Sequence, residues 1–207
     1  MTLRILGAGG HSKIVLEAWR STGGTVSTLY DDDPTLRGRS LLGVEVAGSI
    51  RDGLASPGSL HVAVGDNCAR ARIVGTLGED RFPPIVHAAA EVSPSATCGR
   101  GTLVCAGAVV QAEATLGRHV IVNSLALVEH DVLLDDFVHL APGSRLGGRV
   151  RVCTGAMIGL GAIVLPGLTI GSWAMIGAGA VVISDVPSHA VLVGNPARAI
   201  DRGVPRG

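Results

Sequence analysis

The sequence predicts two domains: a small α/β domain with a parallel sheet over residues 1–86, and a parallel β-helix of about five coils over 87–207, ending in a C-terminal tail. Three observations carry this. From Val92 to Val182 an aliphatic residue stands at every sixth position, Cys98 excepted. A second series, four places after each of these, is mostly small: Ala96, Thr102, Ala108, Ala114 and onward to Ala180. The first ninety residues have no such period and instead alternate short apolar runs with helical ones around a glycine-rich turn.

A period of six fits neither a helix nor a hairpin sheet. Within a strand, side chains two apart share a face. Ala126 and Val128 therefore point inward, as do Val138 and Leu140, while Leu127 and His139 between them point outward. The residues after each strand turn a corner, and three strands close a coil of 18 residues. Coils stack at the inter-strand spacing of ~4.8 Å, so each backbone group pairs with the coil above or below. The inner residue near a corner must be small, which also explains the scarcity of aromatics.

In the N-terminal part, Leu3–Leu6 reads as a buried strand, followed by Gly7-Ala8-Gly9-Gly10-His11 and a helix to about Trp19–Ser21. Thr25–Tyr30 is a second strand, ending in Asp31-Asp32-Asp33-Pro34. His61–Val64 is a third, ending at Gly65-Asp66-Asn67, with a helix through Arg70 to Leu77. This βαβ alternation gives a truncated Rossmann-like domain with ligand-facing loops at the strand C-termini. The glycine turn lets a phosphate approach a helix N-terminus. As a dinucleotide fingerprint it is incomplete, because Ser12 stands where a third glycine belongs. A turn serving only chain reversal, and an acidic run that is merely a solvated bend, are the bland alternatives. The strand-end position of Asp31, where ribose-binding acids sit in related folds, favours the functional reading.

Composition narrows the classes. Net charge is zero and no basic block occurs, so nucleic acid is not an expected partner. The uncharged stretch 152–184 would be flagged as a membrane span, but its glycines, its proline and its unbroken period of six argue against one. The opening Met1-Thr2-Leu3-Arg4 runs directly into a strand, with no signal-peptide pattern. Cys68, Cys98, Cys105 and Cys153 show neither CxxC spacing nor a disulfide framework, so a cytoplasmic protein without a metal is expected. Cys98 is an inward position; Cys105 and Cys153 face outward.

The hexads, of form [LIV]-[GAED]-x-x-[STAV]-x, resemble those of the hexapeptide acyltransferases, whose fold is a left-handed parallel β-helix. Together with the GAxGH-type loop, the Asp31-Asp32-Asp33 turn, Val64-Gly65-Asp66-Asn67 and the closing Val193-Gly194-Asn195-Pro196-Ala197-Arg198, the whole chain resembles a narrower family. That family comprises sialic-acid O-acetyltransferases and bacillosamine and perosamine N-acetyltransferases. The resemblance implies an N-terminal domain that holds a nucleotide-sugar and a homotrimer that holds acetyl-CoA between neighbouring β-helices. It assigns Gly9, Gly10, His11, Asp31, Asp32 and Gly65 to the sugar-nucleotide. His139 falls to acetyl-CoA, with the backbones of Leu160 and Ala178 lining the pantetheine slot. Gly148, one coil above His130, would leave room for the thioester, and Asn123 is a candidate polar neighbour. For His11, a plain helix-start role is the alternative.

The tightest constellation is Glu129-His130-Asp131. Acetyl transfer from a thioester needs a base for the attacking amine or hydroxyl, and histidine suits this near neutral pH. A carboxylate on its second nitrogen fixes the tautomer and favours proton uptake. From the residues alone, a solvated corner histidine with flanking acids stands level with a catalytic one. The resemblance makes His130 the base and Asp131 its partner. His139 lies half a coil away on another face, so the two meet only between subunits of a trimer. The expected activity is acetyl-CoA-dependent N-acetylation of a UDP- or GDP-linked 4-amino-4,6-dideoxy sugar, with sugar O-acetylation, as of sialic acid, the alternative. A zinc carbonic anhydrase would need three converging histidines. The spacing of His119, His130 and His139 does not match that family. A non-catalytic nucleotide-sugar-binding subunit would have no use for the His130–Asp131 pair.

Overall fold

The computed structural model describes residues 2–75 and 79–200. The N-terminal domain begins with β1 (Thr2–Leu6), α1 (Gly10–Ser21) and β2 (Thr25–Tyr30). It continues with β3 (Ser40–Leu41), β4 (Val44–Gly48), α2 (Ile50–Ala55), β5 (Ser59–Val62) and α3 (Asn67–Val74). The sheet order is β3-β4-β2-β1-β5, parallel except for the β3–β4 edge hairpin. β1 therefore lies between β2 and β5. The strand order reverses there, and α/β sheets bind ligands at such a reversal. Helix α3 is shorter than its sequence suggests, and Leu77, where it was expected to end, lies outside the described residues.

A short strand, β6 (Ile85–Val86), already pairs in register with Leu103–Val104 and starts the prism. From there two-residue strands recur every six residues and stack in three parallel sheets, with partners 18 residues apart as in Val110↔Val128. This is the left-handed β-helix. Face one carries Val109–Val110, Leu127–Val128 and Arg145–Leu146; face two carries Thr115–Leu116 and Leu133–Leu134; face three carries Ile121–Val122, His139–Leu140 and Met157–Ile158. Most of both inward series is buried, with Val104, Val128, Val138 and Leu140 fully inaccessible and Val92, Ala96, Cys98 and Leu168 partly covered.

The corners have a regular backbone. Their last residue takes φ near +60°, whether it is glycine, as at Gly143 and Gly155, or not, as at Glu113, His119, Asp131 and Phe137. This left-handed conformation is uncommon for L-residues. It recurs here because the chain must turn about 120° within three residues and still meet the next rung.

At the top, the C-terminal segment crosses all three faces. Val186 bridges to Ile170 on face two. Gly194 accepts from Val181 and Ala197 donates to it on face one. On face three Val191–Val193 is followed by the antiparallel Arg198–Ala199.

The N-terminal domain packs on face three and on the edge between faces two and three. Its core (Leu3, Ile5, Val15, Leu16, Leu29) is continuous with Ile85, Leu103, Cys105 and Ile121 on the outer side of that face. Cys105 and His139 do point out of the prism as expected, but the domain covers both. Burial pushes the Cys105 thiol up to about 12, leaving no thiolate near neutrality. At the edge, His119 is stacked on Phe137, with centroids 5.6 Å apart, and meets Phe82 edge-on at 4.9 Å.

Four histidines are enclosed at this junction. Burial, with Arg70 as a further cause, holds His11, His119 and His139 at about 4. Burial also pushes His61 well below the usual range. His11 Nε2, His61 Nδ1 and His119 Nε2 have no hydrogen-bond partner among the described residues, so each is best left as a bare lone pair. Unfolded histidines titrate near ~6.5. The unfolded chain therefore binds more protons than the native one between about 6.5 and 4, and stability falls as pH drops through that window. The urea unfolding midpoint should decline steadily from pH 7 to 5.5, where unfolded histidines take up protons and most carboxylates stay ionised. A flat midpoint across this range would show that the histidines are not held neutral.

Candidate active site

The strand reversal opens a cleft of about 360 Å³ lined by Gly7, Asp31, Asp32, Ile50, Val64, Ala69, Arg72 and Ile73. Gly7 is required by shape, with φ +105° and a Cβ that would stand 2.9 Å from the Ala63 carbonyl oxygen. Sequence reasoning did not single it out, although it is the first glycine after a strand. Gly9 and Gly10, which it did, are exposed with open space around them. Gly9 is the N-cap of α1, and no side chain caps that helix. Its first N–H groups consequently border the loop as donors.

The acidic turn divides its work. Asp31 uses one carboxylate oxygen on the Ala8 N–H (2.7 Å) and the other on the Asp33 N–H (2.9 Å). Asp31 thus ties the glycine loop to the end of β2. Asp32 is exposed, lines the cleft and accepts from Ile50 N–H through one carboxylate oxygen (2.9 Å). Helix α2, which this bond helps to begin, was not expected from the sequence. The Ser49–Asp52 capping box was the available signal.

Gly65 and His139 meet across the domain junction. His139 Nδ1 lies 3.1 Å from the Gly65 carbonyl, and its Nε2 lies 3.3 Å from Asn123 Nδ2. A carbonyl only accepts, so Nδ1 carries the proton. Nε2 then accepts from the Asn123 amide, whose oxygen is fixed by the Ser124 N–H at 2.8 Å. The ring is 7% exposed and its centroid is 6.2 Å from that of His11. With both nitrogens engaged and a titration point near 4, His139 is a poor base at neutral pH.

His130 is placed quite differently, on the edge between faces one and two, with its side chain 52% exposed. Its Nδ1 is 2.7 Å from Asp131 Oδ2. Consecutive side chains point apart in a strand, but the corner and the left-handed Asp131 (φ 60°) bring these two together. The carboxylate orients the imidazole and holds its proton on Nδ1, which leaves Nε2 as the proton acceptor. Gly148 lies one coil above, and a Cβ there would stand 2.6 Å from both Cε1 and Nε2, so the glycine makes room for the His130 ring.

Leu160 and Ala178 are exposed and stacked one coil apart on the remaining edge, where the Gly179 N–H donates to the Leu160 carbonyl. Within one chain the residues thus fall into separate places: the cleft loops, His11 and His139 at the domain junction, His130–Asp131 on one prism edge, Leu160–Ala178 on another. Among the described residues no group of His, Cys, Asp or Glu side chains could hold a metal.

The family model described as the PglD N-terminal domain matches residues 2–77. The whole fold superposes on perosamine N-acetyltransferase from Caulobacter crescentus, solved as a histidine-to-asparagine mutant in complex with CoA and GDP-perosamine. That match has a TM-score of 0.90 and 37% identity, and covers 97% of each chain. It superposes equally on the acetyltransferase domain of PglB from Neisseria gonorrhoeae, with a TM-score of 0.91 and 39% identity over 96% of this chain and 99% of that one. A curated relative from Schizosaccharomyces pombe, whose name classes it with the acetyltransferases, is 38% identical over 65 residues. The chain spans about a third of the length of such relatives (31% for this one). The fold, the N-terminal domain and the end-to-end likeness agree: the chain belongs to the hexapeptide-repeat sugar acetyltransferase family of the perosamine and bacillosamine N-acetyltransferase type.

Proposed function

We propose that this protein transfers the acetyl group of acetyl-CoA to the amino group of a nucleotide-linked 4-amino-4,6-dideoxy sugar, with His130 as general base. The observation that carries the reading is the 2.7 Å His130–Asp131 pair on an accessible prism edge. In the transfer, the amine attacks the thioester carbonyl, Nε2 of His130 takes the amine proton, and the carbon–sulfur bond breaks to release CoA thiolate. The neighbours bound to CoA and GDP-perosamine support the co-substrate and the nucleotide-linked acceptor. A UDP- or a GDP-linked sugar fits the chemistry equally.

In this reading the cleft at β1, β2 and β5 holds the nucleotide. The uncapped start of α1 at Gly9, Gly10 and His11 faces its phosphates, and Asp32 accepts from a ribose hydroxyl. Gly65 and His139 line the passage to the prism, where the acceptor amine meets the acetyl group of acetyl-CoA that His139 contacts. The pantetheine arm of acetyl-CoA lies along the Leu160–Ala178 edge. Since His130 is on a different edge, a complete site needs a second subunit. Leu125 (71% exposed), Ile163, Leu165 and Ile183 offer the apolar surface for such a homotrimer.

His130→Ala should lower kcat by roughly 10²–10⁴-fold with little change in the acetyl-CoA KM, measured by thiol release. Asp131→Asn should cost less. Near-normal turnover of His130→Ala at pH 7 would move the base elsewhere. Asp32→Ala should raise the acceptor KM by about 10–100-fold, the usual worth of a hydrogen bond to a charged group, and leave acetyl-CoA unaffected. The reverse pattern would overturn the division of labour between domains. Light scattering at micromolar concentration should give three times the 21.0 kDa chain mass. A monomer mass would exclude the shared site.

A further inference from the structure

We infer that Arg70 is a positioning residue for the acceptor, setting the Gly65 loop and the His139 ring against each other; the inference rests on the acceptor site proposed above. Arg70 is 1% exposed, although it is a charged residue at the junction of two domains. Its Nε donates to the His119 carbonyl (3.0 Å). Nη1 donates to the carbonyls of Val64 (3.0 Å) and Gly65 (3.3 Å), and Nη2 donates to Asn67 Oδ1 and the Phe137 carbonyl, both at 2.8 Å. Two of these five acceptors belong to the prism and three to the nucleotide-side loop.

The Gly65 carbonyl is the pivot, because it accepts from Arg70 and from His139 Nδ1 together. A carbonyl oxygen with two lone pairs can serve both donors, and fixing one direction fixes the other. Asn67 completes the tie. Its Nδ2 donates to the carbonyls of Gly155 (3.0 Å) and Ala156 (3.2 Å) on the prism, while its oxygen receives Arg70. Residues 67 and 70 are one turn apart on α3, so both side chains leave the same helix face and reach the same prism edge. The loop from Val64 to Asn67 is therefore held at four points relative to His139.

A hydrophobic residue would pack this junction without orienting anything. A lysine ammonium has three donors on a flexible stem and cannot match the planar fork that reaches five oxygens. Arg70 is too deeply buried to touch a substrate, so its effect on the acceptor passes through Gly65 and His139.

Arg70→Met and Arg70→Lys in the full chain test this. Steady-state kinetics against acetyl-CoA and a GDP- or UDP-linked amino sugar would be combined with ¹⁵N imidazole spectra and calorimetric titration of GDP and UDP. For Arg70→Met the expected result is an acceptor KM raised about 10–100-fold, the range for lost charge-assisted hydrogen bonds, with kcat at saturation and acetyl-CoA KM within about threefold. His139 should lose its single Nδ1–H tautomer, and Arg70→Lys should fall between the two. If Arg70→Met does not fold, Arg70→Lys carries the same readouts. An unchanged acceptor KM with the tautomer retained overturns the inference. So does a parallel rise of both KM values together with a lowered melting temperature, which marks a purely structural role. Should the wild-type chain acetylate no nucleotide-linked amino sugar, the proposed function fails. Arg70 would then be judged on nucleoside diphosphate affinity and the tautomer alone: loss of both supports positioning, and retention of both rejects it.

Discussion

Everything in this molecule is subordinate to the requirement that each coil lie on the next with its backbone paired. The backbone groups of a two-residue strand have no partners within their own coil, so they must find them one coil away. That fixes the repeat at 18 residues, as the register of the strands below the C-terminal segment records. It also fixes where chemistry can sit. A side chain on an edge belongs to a column, and its neighbours in space are its own position plus or minus one coil. His130 and Gly148 are such a pair, and the ring has room only because its column neighbour lacks a side chain. The same rule separates His130 from His139 by half a coil and from Leu160 by an edge.

The prism was legible because its constraint is written into every sixth residue, and no tertiary contact can override a period that supplies its own core. The His130–Asp131 pair was legible for a related reason: adjacent residues at a corner meet through local geometry alone. The N-terminal domain was read less completely. β4 and α2 escaped notice because both are short, and the start of α2 rests on the Ser49–Asp52 capping box. The junction was not legible at all. Arg70 looks like any helix-surface arginine, and its burial depends on carbonyls at His119 and Phe137, far away in sequence. His139 was recognised as outward-facing, but only the docked domain turns an outward residue into an enclosed one.

That junction is also unusual in its electrostatics. A guanidinium lies within a shell of uncharged oxygens and is surrounded by imidazoles, all of which it helps to keep neutral. Burying a charge is tolerable when hydrogen bonds replace its hydration. Arg70 nonetheless loses some of its proton affinity and is lowered to about 10. One fixed positive charge thus suppresses others nearby, so that the neutral donor–acceptor pattern of the histidines becomes a property of the folded junction rather than of solution pH.

The crossing of the C-terminal segment over the top rung has a consequence for how copies of the chain can associate. A solenoid whose last coil offers open N–H and C=O groups is a template on which another solenoid can continue, and unlimited end-to-end growth gives fibres. Here Val186, Gly194 to Ala197 and the antiparallel Arg198–Ala199 occupy those groups on all three faces. At that end the described residues present a covered top rung rather than an open one. The homotrimer proposed above uses the flanks of the prism, where association closes on itself and stops.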